Sequence, residues 1–226
     1  METVFISLLP YIIGTALSPL QITIDLLLLR NPNQGLLKAI AYVTGMTLTR
    51  LLQGVIFGWV LSSSSAVTEE SGGKNPVAAT LLLVLGILLL ITAYKKWKGE
   101  EDPDDSSPKV VAILDRLTPI KALGLGLGLP LIAAKSWVFI LSALATIAAA
   151  ELGRLNSAIA YVLFILLAQL LLLLPISARI LMPQRSNQLL AKMSAWLGKN
   201  SRPITIGVSL VFGLLFLYSG ITGLLF

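Results

Sequence analysis

Three ionisable residues interrupt long apolar stretches of this sequence, and they are the side chains best placed to do chemistry. They are Asp25, Arg50 and Lys135. If the apolar stretches cross a bilayer, each charge costs roughly 2.5–3.5 kcal/mol at a helix centre, so each should be paired or hydrated. One acid and two bases leave a surplus of one positive charge. We therefore expect a site for an anionic group, such as a carboxylate or a phosphate.

A structural interpretation stands beside this one. Asp25 and Lys135 would then snorkel to the membrane boundary or form buried structural pairs. Asp25 lies nearer to the end of its apolar stretch, which favours that interpretation for this residue. A coupling proton would also use Asp25, because the sequence contains no His.

Two segments are built to interrupt a helix. Residues 14–19 (Gly-Thr-Ala-Leu-Ser-Pro) lie inside the first apolar stretch, and residues 124–130, with alternate glycines ending at a proline, lie inside the fourth. Proline removes a backbone donor, and small residues let the helix loosen. Corresponding interruptions in two halves of a chain are typical of a transport site. Close packing of small residues four apart is the alternative, through Gly14 with Ser18 and Gly124 with Gly128.

These interruptions and charges define a candidate substrate or ion site. Its residues are Ser18, Pro19, Gln21, Asp25, Thr47, Arg50, Pro130 and Lys135. Other polar groups lie nearby in the apolar stretches, among them Ser136, Gln53 and Gln169.

The residue types that are missing exclude most catalytic chemistry. The sequence has no His and no Cys, which removes the usual acid–base, nucleophilic, zinc, haem and disulfide chemistries. An acidic tract at residues 100–105 has no coordination spacing and resembles a solvated linker. We therefore expect no catalytic residues, no metal and no cofactor, and we do not expect an enzyme.

The elements that must position these residues are membrane helices. Of 226 residues, 56% are hydrophobic and only 12% are charged, whereas about 25% are charged in an average soluble domain. Six apolar stretches are each long enough to cross a bilayer. They run approximately over residues 4–29, 37–61, 77–94, 120–149, 156–182 and 204–226. The fold class is therefore all-α integral membrane, with six transmembrane helices of which the first and fourth are broken.

Basic residues set the expected orientation. Thirteen of the 17 Lys and Arg residues lie in or beside the first, third and fifth connections, so these connections are cytoplasmic and both termini are outside. The net charge of +6 follows from this bias, and we expect no nucleic-acid partner. The third connection, residues 95–119, is a linker that contains the acidic tract. Leucines, Met193 and Trp196 repeat at helical spacing near 187–199, which predicts an amphipathic interfacial helix.

The two halves, residues 1–94 and 120–226, repeat one another. Residues 39–43 (Ala-Ile-Ala-Tyr-Val) recur at 158–162, Pro19-Leu20 recurs as Pro130-Leu131, and a Leu-Val-x-Gly motif ends at both Gly86 and Gly213. Halves of three spans each must have opposite orientations, so the pattern predicts two inverted three-helix repeats.

The first two spans resemble a known family. The stretch from Ile13 to Leu20, the leucine-rich run to Asn31-Pro32, and residues 41–45 (Ala-Tyr-Val-Thr-Gly) are similar to the glycolipid-addressing (GAP, or Sap) family. That family is placed in the lysine-exporter (LysE) superfamily. The resemblance implies a multipass inner-membrane protein that exports a solute or an envelope lipid, or assists its export. Ser18 and Pro19 match the family's small-residue-Ser-Pro motif in the first span.

The function that we expect is a multipass transporter. It would export a small anionic solute or an envelope lipid by alternating access. A non-transporting assembly or scaffold subunit of a membrane complex is the main alternative, and a membrane-embedded lipid-modifying enzyme is a lesser one. The expected partners are membrane lipids and the substrate, and the glycines of the last span, Gly213, Gly220 and Gly223, permit a homodimer.

Overall fold

The described part of the chain is entirely helical. The computed structural model describes residues 2–68, 76–99, 114 and 117–225, and the side chains of these residues except at 59–68, 76–78, 81, 134, 135 and 185. Within these limits the helices are α1 (Glu2–Ala16), α2 (Pro19–Arg30), α3 (Gly35–Thr68), α4 (Pro76–Lys98), α5 (Pro119–Ile132), α6 (Ala134–Ala149), α7 (Arg154–Ala168), α8 (Leu170–Leu181) and α9 (Pro183–Leu225). The acidic tract at 100–105 lies outside the described residues.

The helices have the length and composition of membrane spans. Two continuous stretches qualify by themselves, Gly35–Gly58 and Ser186–Leu225. Three bent pairs qualify when each is taken as one span: α1 with α2 at 57°, α5 with α6 at 72°, and α7 with α8 at 61°. The described residues therefore contain between two and five spans by this test, and each bent pair is a broken span or a re-entrant loop. These are the features of a helical membrane protein.

The break in the first span falls inside the interrupted segment that the sequence predicts. Helix α1 ends at Ala16, Ser18 is extended (φ −98°, ψ 99°), and Pro19 begins α2. Proline suits the first position of a helix, because its missing N–H has no partner there and its φ angle is already helical. The Ser-Pro step therefore ends one helix and starts the next.

The break in the fourth apolar stretch lies further along the chain than the sequence predicts. Helix α5 continues through Gly124, Gly128 and Pro130 to Ile132, and the extended residue is Ala133 (φ −72°, ψ 100°). The indole of Trp137 donates a hydrogen bond of 2.8 Å to the carbonyl of Leu131. This bond supplies a partner to a carbonyl that the break removes from the helical ladder.

Close packing explains why the glycine-rich part of α5 remains helical. A Cβ atom at Gly126 would collide with the carbonyl oxygen of Tyr42 on α3, and one at Gly45 would collide with that of Leu123. Small residues thus let the backbones of α3 and α5 approach each other. The predicted pair, Gly124 with Gly128, was wrong in this detail, since nothing lies within 4 Å of a Cβ atom at Gly124.

A third break occurs in the fifth apolar stretch, at a glutamine. Gln169 (φ −97°, ψ 1°) separates α7 from α8, whereas Pro175 lies within α8. The structure also joins the segment near 187–199 to the last span in one 43-residue helix, α9, which contains Pro203. Leu190 and Leu197 are buried in a core cluster with α2, so this segment packs against protein.

Helices α4 and α9 form the closest antiparallel pair. Gly86 packs against the backbone of α9 at Gly213, and Gly220 packs against Leu83. At the other end of the pair, Arg202 donates hydrogen bonds to the carbonyls of Lys96 (2.9 Å) and Trp97 (2.8 Å). Helix α2 also contacts α3, α8 and α9. Helix α6 contacts α3, α4 and α7. Helix α5 packs on α3, and α1 packs on α6 and α7.

Candidate functional site

The breaks of the first and fourth spans meet at one polar cavity. Its wall includes Ser18 and Pro19 from the first break and Ala133 from the fourth. Helices α4 and α9 complete the wall with Leu89, Lys96, Ser201, Thr205, Val208 and Ser209. The cavity encloses about 60 Å³. Since one water needs roughly 10–15 Å³ by such a measure, the space accommodates a few waters or a small polar group.

A chain of hydrogen bonds leads from the cavity wall to a buried cation. Gln21, on the first turn of α2, lines the cavity and donates from Nε2 to the hydroxyl of Ser136 at 3.5 Å. Its Oε1 accepts a hydrogen bond of 3.2 Å from Nη2 of Arg50 on α3. Gln21, Ser136 and Arg50 are all buried, and Arg50 is completely so. This chain joins three helices, and it links the buried guanidinium of Arg50 to Gln21 on the cavity wall.

Several polar atoms in this region have no hydrogen-bond partner among the residues that the structure describes. Nε and Nη1 of Arg50 are buried without a hydrogen bond, and so is the hydroxyl of Thr15, which lines the cavity. Burying an unpartnered polar group is costly, more so when it is charged. An acceptor that enters the cavity would satisfy Thr15 directly, and one that reaches past Gln21 would satisfy Arg50.

Two helices begin at the cavity and add to its positive character. Helix α2 starts at Pro19 and α6 starts at Ala134, both at the breaks. The first turn of a helix carries unsatisfied N–H groups and a partial positive charge. Together with Arg50, these ends favour an anion in the cavity.

Asp25 lies away from the cavity, in the apolar core of the protein. It is completely buried, and neither carboxyl oxygen has a hydrogen-bond partner among the described residues. Tyr42, also completely buried, lies within electrostatic reach of both Asp25 and Arg50. The alternative in which Asp25 snorkels to the membrane boundary does not fit this burial.

The remaining predicted residues occupy separate positions. The hydroxyl of Thr47 lies 2.9 Å from Oε1 of Gln169 and 2.8 Å from the carbonyl of Val43, so it supports the break in the fifth span. Pro130 is buried within α5. The side chain of Lys135 lies outside the described part of the chain. The structure therefore brings together Ser18, Pro19, Gln21 and, through Gln21, Arg50.

Two residues of the cavity carry more weight than the sequence indicated. Ser136 closes the hydrogen-bond chain, although the sequence marks it only as a polar neighbour of Lys135. The sequence assigns Lys96 to the third connection, residues 95–119, yet it is buried and lines the cavity with Leu89. The helical spacing of Leu89 and Lys96, seven residues apart, is the signal that places both on one face of α4.

Among the described residues, no group of three or more His, Cys, Asp or Glu side chains is placed so that it could hold a metal ion.

In comparisons with known proteins, the family described as SfLAP, Sap, sulfolipid-1-addressing protein, matches residues 8–222. No curated protein and no solved structure matches the chain.

Proposed function

The chain belongs to the Sap (sulfolipid-1-addressing protein) family, and from this premise we propose that it is a multipass transporter. It exports a small anionic solute or an envelope lipid by alternating access. The observation that carries the proposal is the meeting of two broken spans at one polar cavity. Non-helical backbone at membrane depth is tolerated where it faces protein or a wet cavity, and transporters use such breaks as binding sites.

The electrostatics of the cavity support an anionic substrate group. Two helix N-termini point to the cavity region, and Arg50 has two nitrogens without partners. A sulfate or phosphate oxygen accepts charge-assisted hydrogen bonds from such donors. The family's description names a sulfolipid, whose headgroup is an anion, and this favours an envelope lipid over a small solute.

The helix contacts support six spans arranged as two inverted repeats. In this arrangement α1 and α2 correspond to α5 and α6, α3 corresponds to α7 with α8, and α4 to α9. Some contacts between the described helices then have an equivalent: α3 with α5 matches α7 with α1, and α2 with α9 matches α6 with α4, whereas the contacts of α1 with α6 and of α8 with α9 have no comparable counterpart. Gly86 and Gly213, which the sequence repeat equates, pack against each other. Equivalent residues meet in this way at a two-fold axis.

Alternating access follows from this arrangement. The two halves rock about the cavity, so the site opens to one side of the membrane at a time. The excess of Lys and Arg in the odd-numbered connections places these connections in the cytoplasm and both termini outside the inner membrane. Membership of the LysE exporter superfamily and a homodimer belong to the same proposal. The glycines expected to permit that dimer, Gly213, Gly220 and Gly223, instead pack against α4 within the chain, so a dimer would use another face.

Transport by the reconstituted full chain tests the proposal. Proteoliposomes would be assayed for movement of a sulfated glycolipid between leaflets and of a small organic anion across the membrane. Charge reversal at the site, Arg50→Glu or Lys135→Glu, should abolish movement, because an acid there repels the anionic substrate. Lys199→Glu, an exposed residue of α9, is the matched control and should behave as wild type.

Unchanged movement with both Arg50→Glu and Lys135→Glu would contradict the proposed site. A deletion strain should also redistribute an anionic envelope lipid or solute between the cell interior and exterior. If export is unchanged in that strain and the protein is always recovered in one large complex, the scaffold alternative is correct instead.

A further inference from the structure

An apolar groove adjoins the polar cavity. It runs between α2, α8 and α9, and its wall includes Ile22, Leu26, Met193 and Ile204. Its volume is about 480 Å³, within the ~300–1,000 Å³ typical of ligand pockets. Lys192 is the charged residue of this wall, and its exposed side chain can place an aliphatic stem along the groove with its ammonium in water.

The groove and the cavity adjoin each other at the first helix break. Leu17 and Pro19 line both spaces. On one side of this break lie the polar groups of Thr15, Ser18 and Gln21, and on the other side the wall is almost purely apolar. A single molecule that occupies both spaces must therefore have a polar end and an apolar end.

The length of the groove matches one hydrocarbon chain. Eleven residues of α9 separate Met193 from Ile204, which corresponds to about 17 Å of helix. One leaflet of a bilayer core is roughly 15 Å thick. An acyl chain of ordinary length thus fits along α9, whereas a small solute would leave the groove empty.

We propose that this groove binds the acyl chain of an anionic lipid whose headgroup lies in the adjoining cavity beside Ser18 and Gln21. The inference rests on the proposed function and makes it more specific, since the substrate must then be an amphiphile. A groove filled only by bulk lipid is the alternative. Bulk lipid would show no preference for an anionic headgroup, because nothing would link the groove to the cavity.

Photolabelling separates these two cases. The full chain in phosphatidylcholine nanodiscs would be labelled with dodecyl sulfate that carries a diazirine at the chain end. Dodecylphosphocholine with the same diazirine is the matched zwitterionic probe. The sulfate probe should label the groove about tenfold more strongly, as expected when charge-assisted hydrogen bonds hold its headgroup. Labelled peptides should contain Ile22, Met193 or Ile204.

Three variants identify the route of binding. Met193→Trp fills the groove and should reduce labelling by the sulfate probe several-fold. Val211→Trp adds the same ring at an exposed position of α9 outside the groove, and it should have no effect. Gln21→Leu should reduce labelling by the sulfate probe while leaving labelling by the zwitterionic probe unchanged, because Gln21 lines the cavity and not the groove.

Equal labelling by the two probes would overturn the inference, as would unchanged labelling of Met193→Trp or labels located mainly at Val211. Failure of the proposed function has a different signature. Selective labelling of the groove without any lipid movement in proteoliposomes would refute transport but retain the binding site. Normal movement without selective labelling would retain transport and refute the groove.

Discussion

Replacing Arg50 by methionine should separate function from stability. Arg50 is completely buried, its Nη2 donates to Gln21, and Nε and Nη1 have no partner. A buried arginine at a helix centre costs roughly 2.5–3.5 kcal/mol, and a hydrogen bond to a charged group returns about 1.5–3 kcal/mol. These terms nearly cancel. Methionine removes both the burial cost of the charge and the hydrogen bond, and it leaves one acceptor on Gln21 unsatisfied. We therefore expect the free energy of unfolding to change by at most about 1 kcal/mol.

The effect on function should be much larger. If Arg50 supplies a charge-assisted hydrogen bond to the substrate, its loss costs about 1.5–3 kcal/mol of binding, or roughly 10- to 100-fold in affinity. Unfolding of the purified protein by steric trapping in micelles measures the first quantity. Lipid binding and movement in proteoliposomes measure the second.

A neighbouring glutamine provides the control. Gln53 lies three positions along α3 and is buried, and neither of its side-chain polar atoms has a hydrogen-bond partner in the described part of the chain. Gln53→Leu should therefore leave lipid movement unchanged and should not reduce stability. The reasoning would be refuted if Arg50→Met unfolded the protein by more than about 3 kcal/mol, the cost of breaking a buried pair, while lipid movement persisted.

Three further substitutions test other parts of the structure. Gly126→Ala should lower the free energy of unfolding by about 1–3 kcal/mol in the steric-trapping assay, because the added Cβ atom collides with a carbonyl of α3. Gly124 faces open space, so Gly124→Ala should be neutral or stabilising in the same assay. Thr47→Val should lower the free energy of unfolding by about 0.6 kcal/mol, and by at most about 1.7 kcal/mol. A double-mutant cycle with Gln169→Leu should assign that loss to the hydrogen bond between Thr47 and Gln169. Asp25→Asn should make lipid movement independent of an imposed pH gradient, since a buried acid is the group available to carry a coupling proton; a wild-type pH response from this variant would exclude that role.

The sequence predicted features that depend on composition and on local backbone chemistry. Apolar stretches and scarce charge identify the membrane helices, and the Ser18-Pro19 step places the first break correctly, because proline both ends one helix and starts another. The burial of Arg50 was also foreseeable, since a charge in the middle of an apolar stretch has to be covered by protein.

Features that depend on neighbouring helices could not be predicted. Gly126 remains helical because α3 packs against it, and the chain instead bends at Ala133, where Trp137 can supply a donor. The local sequence around Gln169 does not predict a break. The break is instead accompanied by a hydrogen bond that the Gln169 side chain accepts from another helix. The burial of Lys96 likewise follows from the pairing of α4 with α9 and not from its position at the end of a span.

The uninterrupted length of α9 has a mechanical consequence. At 43 residues it measures about 65 Å, roughly twice the thickness of a bilayer core. It contributes to the wall of the cavity, to the wall of the groove and to the glycine contact with α4. Because one continuous helix supplies part of both walls, any displacement of α9 as a rigid body changes the widths of both spaces together.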